Sequence, residues 1–290
     1  MSVSHPIIAV TGSSGAGTST VKHAFEDIFR RIGIKPVVVE GDSFHRYDRM
    51  EMREAVAKAE TEGKTLTHFG PEANRLDRLE KLFQTYSEGG KGETRLYIHD
   101  EKEGAKFDQA PGTFTPWEEI DGDNDLLFYE GLHGGVVTDE VNIARYTDLL
   151  IGVVPVINLE WIQKIKRDCA NRGYSQDAVV DIILKRMPDY IHHITPQFSR
   201  TDINFQRVPL IDTSNPFVMR EIPSPDESLI VIRFKDPKKA DFPYYLSMLK
   251  DSFMSRPNNL VVPAVKMGLA MEVILTPFIE EMMEKKSQRG

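Results

Sequence analysis

The chain has 290 residues, with 36 Lys and Arg against 44 Asp and Glu, for a net charge of −8. That balance excludes a general nucleic-acid binder, which needs a surplus of cations facing phosphates. A lone cysteine, Cys169, excludes a disulfide within the chain and points to the cytoplasm.

No apolar run reaches the ~18 residues needed to span a membrane, and the opening MSVSHPIIAVTGSSG lacks the cationic leader of a secretory signal. With no linker-like stretch, residues 1–290 are expected to form one domain.

In chain order, residues 6–11 (PIIAVT) read as a buried parallel strand. Val21, Phe25, Ile28, Phe29 and Ile32 then recur at helical spacing, with Gly33 as the stop, and residues 36–40 form a second strand. Residues 48–64 and 71–87 read as charged outer helices, 95–100 (RLYIHD) as a strand, and 101–124 as a long surface loop. Residues 125–131 and 148–155 read as buried strands. A helix is expected from Asn158 as N-cap to Arg172, with Gly173 after it. Ser175 caps the next helix, which Pro188 is expected to kink. VPLID, SLIVIRF and LVVPA follow as strands, and 265–285 as a final helix. The fold expected is α/β, a mostly parallel central sheet flanked by helices.

Between the first strand and helix lies GSSGAGTST: Gly12, Ser13, Ser14, Gly15, Ala16, Gly17, Thr18, Ser19 and Thr20. Its GxxxxG spacing suits a phosphate cradle, because backbone N–H groups must converge on the oxygens and glycine tolerates the required conformations. The helix that follows adds its positive N-terminal end, and Ser19, or its neighbours Thr18 and Thr20, offers a hydroxyl to Mg²⁺. The lysine usual after the second glycine is replaced by Thr18. Either the segment binds nucleotide without catalysis, or a cation from elsewhere substitutes.

Ligands of open parallel sheets sit beyond the carboxyl ends of the strands, where Asp42 and Glu130 stand. Glu130, after four apolar residues, has the position of an acid that holds Mg²⁺. Asp42 has His45, Arg46 and Arg49 beside it, which suits a base accepting a hydroxyl proton while cations grip an anionic substrate. Strands also end in acids simply because turns favour them; two acids beside a phosphate cradle favour function. On the helix from 158, Lys164, Arg167, Asp168 and Arg172 gather away from the apolar stripe of Leu159, Ile162, Ile165 and Cys169. Three cations around one acid make either a solvated face or a phosphate clamp, with Lys164 standing in for the absent lysine. Tyr97, His99 and Asp100, read as closing a strand, are candidates to meet a sugar. His192 and His193 are read as structural.

These segments together, GSSGAGTST, EGDSFHR, FYEGLHG, VVPVINLEWIQKIKRD…RGY and DINFQRVPLIDTSNPF, resemble the bacterial class of phosphoribulokinases across essentially the whole chain. The resemblance implies MgATP-dependent phosphorylation of ribulose 5-phosphate on its 1-hydroxyl, giving ribulose 1,5-bisphosphate for carbon fixation. It implies Asp42 as catalytic base, Glu130 as metal-linked acid and Asp168 as a second essential acid. Lys164 and Arg167 would meet transition-state charge, and His45, Arg49 and Arg172 the sugar phosphate. It also implies a homo-oligomer, typically an octamer, activated by NADH and inhibited by AMP. Arg31, Arg186, Arg233 and Arg256 are candidates for subunit or effector contacts, plain surface arginine being the simpler reading. Plant-type members carry a thiol pair that this chain lacks. The competing expectations are a uridine or pantothenate kinase, and a nucleotide-binding regulator that transfers nothing.

Overall fold

The computed structural model describes residues 5–12, 18–120, 122–219 and 221–288, with backbone alone at 18–20 and 171–172. Ser13, Ser14, Gly15, Ala16 and Gly17 lie outside the described residues, as do the side chains of Thr18, Ser19, Thr20 and Arg172.

The apolar run at the start forms β1 (Ile7–Gly12), buried throughout. The first helix is α1 (Thr18–Ile32), ended by Gly33 at φ +72°, a conformation glycine adopts without strain. Strand β2 (Pro36–Glu40) runs into a 3-10 turn at Gly41–Phe44. Asp48 caps α2 (Arg49–Thr61) through the amides of Met50 and Glu51, and Glu51 answers by accepting from the Asp48 amide. Next come α3 (Leu76–Gly89), β3 (Glu93–Thr94), α4 (Glu101–Phe107), β4 (Glu118–Glu119) and β5 (Leu126–Gly131). The second half carries β6 (Leu149–Val154), α5 (Ile157–Arg172), α6 (Gln176–Asp189) and β7 (Ile203–Pro209). It closes with β8 (Ser228–Phe234), α7 (Phe242–Met248), β9 (Phe253–Arg256), β10 (Asn259–Pro263) and α8 (Met267–Ser287).

One sheet runs in the order β2-β5-β1-β6-β7-β8-β10-β9. The five strands from β2 to β7 are parallel, and β8, β10 and β9 extend the sheet antiparallel. The expected, mostly parallel sheet with flanking helices is present; its antiparallel end is what the sequence left unread. Alternation along the strands builds two cores. On one face Ile8, Val10, Phe128 and Ile151 pack with Phe25 and Ile28 of α1 and Ile274 of α8. On the other, Ile7, Ala9, Leu127 and Tyr129 pack with Leu79, Phe83 and Tyr86 of α3. Arg31 ties α1 to α8 through Glu272 at 3.1 Å and Thr276 at 2.6 Å.

Several expectations are corrected. RLYIHD is no strand: it makes one bridge, Tyr97 to Phe114, and irregular bonds such as Ile98 N to Thr113 O at 2.9 Å. The stretch 101–124 is not all loop, because Asp100 caps α4 by accepting from the Lys102 and Glu103 amides. Asn158 is not an N-cap; α5 starts one residue earlier behind Val156, with no side-chain cap. Gly173 does end it, at φ +69°, and Ser175 does cap α6. The α6 helix persists through Pro188 to Asp189 and then widens into a π turn at Tyr190–Ile194. The seventh strand occupies 203–209 rather than VPLID, and β9 was unforeseen.

Candidate active site

Parallel pairing puts Glu40 directly opposite Glu130 at the carboxyl ends of β2 and β5. Asp42 follows in the 3-10 turn, and two glycines permit the crowding. A Cβ on Gly41 would lie 2.8 Å from Gly131 Cα, and one on Gly131 would lie 2.7 Å from Gly41 Cα. Larger residues would force the two chain ends apart, and three carboxylates with them. On the other side of the central strand, Gly12 admits the Val153 carbonyl, 2.7 Å from where its Cβ would stand.

The three acids differ in charge. Glu40 is held down to about 2, first by its contact with His99 at 3.7 Å, against burial, and then by Lys22 at 2.8 Å. Glu130 is pushed up to about 7 by burial first and then by the neighbouring Glu40 and Asp42 charges. Asp42 is also raised, by burial first, although 44% of its side-chain surface stays open and His99 and His68 pull the other way. A carboxyl that burial raises, and that still meets solvent, is a better proton acceptor than a free aspartate.

Histidines wall this recess. His45 Nε2 stands 3.5 Å from Asp42 Oδ1. Its ring lies 4.2 Å from that of His68, and burial lowers both to about 3. His133 contacts the Phe69 carbonyl at 3.1 Å and falls to about 4 through burial. His99 alone is raised, chiefly by Glu40. This corrects the expectation of a cationic clamp beside Asp42: His45 is neutral because it is buried. Arg46 is turned away onto the carbonyls of Glu72 and Asn74, at 2.9 and 3.0 Å. Arg49 stays near, donating to His99 O at 3.1 Å, and the Tyr97 ring lies 5.0 Å from His99 and 6.2 Å from His45. Arg95 fastens the segment by donating to Ser43 O and His45 O at 2.9 and 2.7 Å.

On α5, Lys164 Nζ meets Asp168 Oδ2 at 2.5 Å, and Arg167 Nε meets Oδ1 at 3.0 Å. Burial pushes the Asp168 carboxyl up, but these two partners outweigh it and its pKa falls. Burial also lowers Lys164, with Arg186 adding to the effect. His68 feels the charges of both Arg186 and Asp42, and Lys164 feels Arg186 as well. A cavity of about 630 Å³ between α2 and α6 opens at His68 and is lined by Arg53, Lys64, Lys185 and Arg186 against the one acid Glu60. Its charge suits an anionic ligand. Glu40, His68, His133 and Arg53 escaped the sequence reading. Glu40 carried a readable signal, as it too ends an apolar strand; the two histidines carried none.

The three crowded carboxylates make Glu130 costly to ionise, and among the described residues no group of three or more His, Cys, Asp or Glu is placed to hold a metal ion. A group raised on folding contributes stability that is complete below its unfolded value, here 4.5, and lost as pH rises through about 7. Glu130→Gln is therefore expected to melt above the parent chain at pH 8 by several degrees, on the order of 3 kcal/mol. The gap should shrink toward zero at pH 5. Thermal melts of the metal- and nucleotide-free protein at both pH values check this; equal gaps would refute it.

The family described as "Phosphoribulokinase / Uridine kinase family" matches residues 7–214. The chain is 63% identical over 289 residues to the chromosomal phosphoribulokinase of Cupriavidus necator, covering 99% of each. It is 60% identical over 286 residues to the phosphoribulokinase of Sinorhizobium medicae, again covering 99% of each. Among solved structures, phosphoribulokinase from Rhodobacter spheroides superposes with a TM-score of 0.91 at 56% identity, covering 99% of this chain and 100% of that one.

Proposed function

The chain belongs to the phosphoribulokinase and uridine kinase family, and from that premise we propose that it transfers the γ-phosphoryl group of ATP to the 1-hydroxyl of ribulose 5-phosphate. The observation that carries the reaction is Asp42. Its raised, half-open carboxyl lies among the strand ends with a neutral imidazole 3.5 Å away.

In this reading the sugar's 1-hydroxyl oxygen attacks the γ-phosphorus as its proton passes to Asp42. The bond to the ADP oxygen breaks, and Lys164 and Arg167 draw toward the moving group, held in place by Asp168. The amides of Gly12 to Thr20 cradle the ATP phosphates. Glu130 and Ser19 would hold Mg²⁺, which when bound neutralises charge on the β- and γ-phosphates. Neutral His45 keeps Asp42 aligned. Arg49 and Arg172 grip the 5-phosphate, with Tyr97 and His99 along the sugar. The chain acts as one kinase domain in the cytoplasm, as a homo-oligomer, an octamer by resemblance, that answers to NADH and AMP.

The test is a panel of acceptors with saturating MgATP. Ribulose 5-phosphate should be phosphorylated, and uridine and pantothenate should not. Arg49→Ala should raise the KM for ribulose 5-phosphate at least about tenfold with a smaller change in kcat, as for a group that binds ground and transition states alike. Turnover of uridine alone would overturn the substrate, and an unchanged KM would remove Arg49 from the site.

A further inference from the structure

Gln197 is fully buried in the 3-10 turn Thr195–Ser199 that follows α6, and it belongs to none of the groups described so far. Its amide joins three segments remote in sequence. Oε1 accepts from the Thr11 hydroxyl at 2.8 Å and from the Gly135 amide at 2.9 Å. Nε2 donates to Leu132 O at 2.9 Å and to His193 O at 2.8 Å. These partners fix which way the amide faces, because a backbone N–H needs an acceptor and two carbonyls need a donor. The side chain thus makes all four bonds open to an amide. Thr11 Oγ1 also lies 3.2 Å from Leu132 O, but its one hydrogen cannot serve both oxygens, and the shorter contact is with Gln197.

The partners stand at the end of the sheet that carries the acids. Thr11 precedes Gly12 and pairs in register with Gly131, the neighbour of Glu130. Leu132 and Gly135 bracket His133, whose ring reaches Phe69 O in the wall around Asp42. His193 lies in the π turn that ends α6. Helix α6 in turn packs on α5 through Ile165, Val179 and Ile183, so this turn is the root of the hairpin that bears Lys164 and Arg167. Thr201, four residues on, gives a contrast. Its buried hydroxyl meets Asn204 Oδ1 at 2.6 Å and Phe198 O at 2.8 Å, both within its own segment. Only the Gln197 bonds cross between the strand ends and the hairpin.

We propose that Gln197 is a positioning residue for phosphoryl transfer. It fixes the strand end of Glu130 and the root of the α5–α6 hairpin against Thr11, so that the acids and the cations of α5 keep their separation across the reacting group. The physical reason is sensitivity to distance: a misplacement of ~1 Å can cost ~10²-fold in rate, and these groups come from elements that no local structure holds together. The inference rests on the kinase reading above and adds to it a residue that touches no substrate.

Four substitutions test it. Gln197→Met keeps the length of the side chain and removes every bond. Thr11→Val removes the hydroxyl alone, and Thr11→Ser retains it. Thr201→Val breaks a buried hydroxyl bond in the same segment without reaching the strand ends. The kcat and both KM values are measured on the full-length protein, well below each melting temperature, with the acceptor that the parent phosphorylates. Gln197→Met should lower kcat about tenfold or more, and Thr11→Val about fivefold, with KM for acceptor and MgATP within about threefold. Thr11→Ser should return kcat to within about twofold of the parent, and Thr201→Val should melt earlier with kcat within about twofold. If Gln197→Met does not fold, the Thr11 pair set against Thr201→Val decides the matter. An unchanged kcat, a loss that falls on KM instead, or an equal loss in Thr201→Val would overturn the proposal. If the parent phosphorylates an acceptor other than ribulose 5-phosphate, the substrate assignment fails while the same comparisons still judge Gln197; a parent that phosphorylates nothing removes both.

Discussion

Asp42→Asn is expected to cut kcat by about three orders of magnitude, within the range of ~10² to 10⁴ that general-base removal usually costs. The amide keeps the size of the side chain and its approach to His45, 3.5 Å in the parent, but it cannot take the hydroxyl proton. ATP affinity should stay within about twofold, because the residue serves the acceptor. The same substitution should not destabilise the fold. Burial already raises the Asp42 carboxyl, so its charge costs free energy at neutral pH, and a neutral isostere removes that cost. The expected result is thus a protein that melts at or above the parent temperature, binds ATP and hardly turns over. Steady-state kinetics with ribulose 5-phosphate, beside a melt at pH 8, test both halves. Turnover within about tenfold of the parent would remove Asp42 as the base.

Lys164→Met should lower kcat by about 10² to 10³, the usual loss when a group placed against developing charge is removed. Two readings of this lysine predict different outcomes. As an ordinary i,i+4 partner of Asp168 it would add only ~0.2–0.5 kcal/mol to helix stability and nothing to rate. The geometry argues otherwise. The pair is short, 2.5 Å, and the exposures of 16% and 3% place both groups out of water. Burial and Arg186 depress Lys164, so its charge is maintained mainly by Asp168. That is an arrangement ready to share its charge with an incoming phosphoryl group. The kcat for ribulose 5-phosphate at saturating MgATP distinguishes the readings: a small loss of melting temperature with kcat intact would return Lys164 to the helix surface.

Much of the fold was legible because its signals are local. Buried strands such as β1 and β6 are continuous apolar runs, and Gly33, Gly173 and Ser175 mark helix ends by conformation and hydrogen bonding within a few residues. The misread stretch from Arg95 to Asn124 is one where few residues form regular structure. Its segments are held by contacts such as Arg95 to His45 O and Ile120 N to Gly92 O, which no local pattern reports. Strand direction was likewise invisible: SLIVIRF is as apolar as a parallel strand, yet β8 runs antiparallel beside β7.

For the site, the sequence by itself determined that Glu130 closes a strand, that Thr18 replaces the customary lysine, and that one helix carries Lys164, Arg167 and Asp168 together; Asp42, expected to end the second strand, stands in the turn after Glu40 instead. Family membership followed from the same segments. What only the tertiary structure decided is the charge on each group. Glu40 presses on Glu130 across a strand pair; His45 loses its proton to burial against His68; His99 is raised because Glu40 faces it. Desolvation and Coulomb interaction depend on burial and distance between segments remote in sequence. A list of residue types therefore carries the candidates, while their protonation, and hence their chemistry, is set only when the chain closes around them.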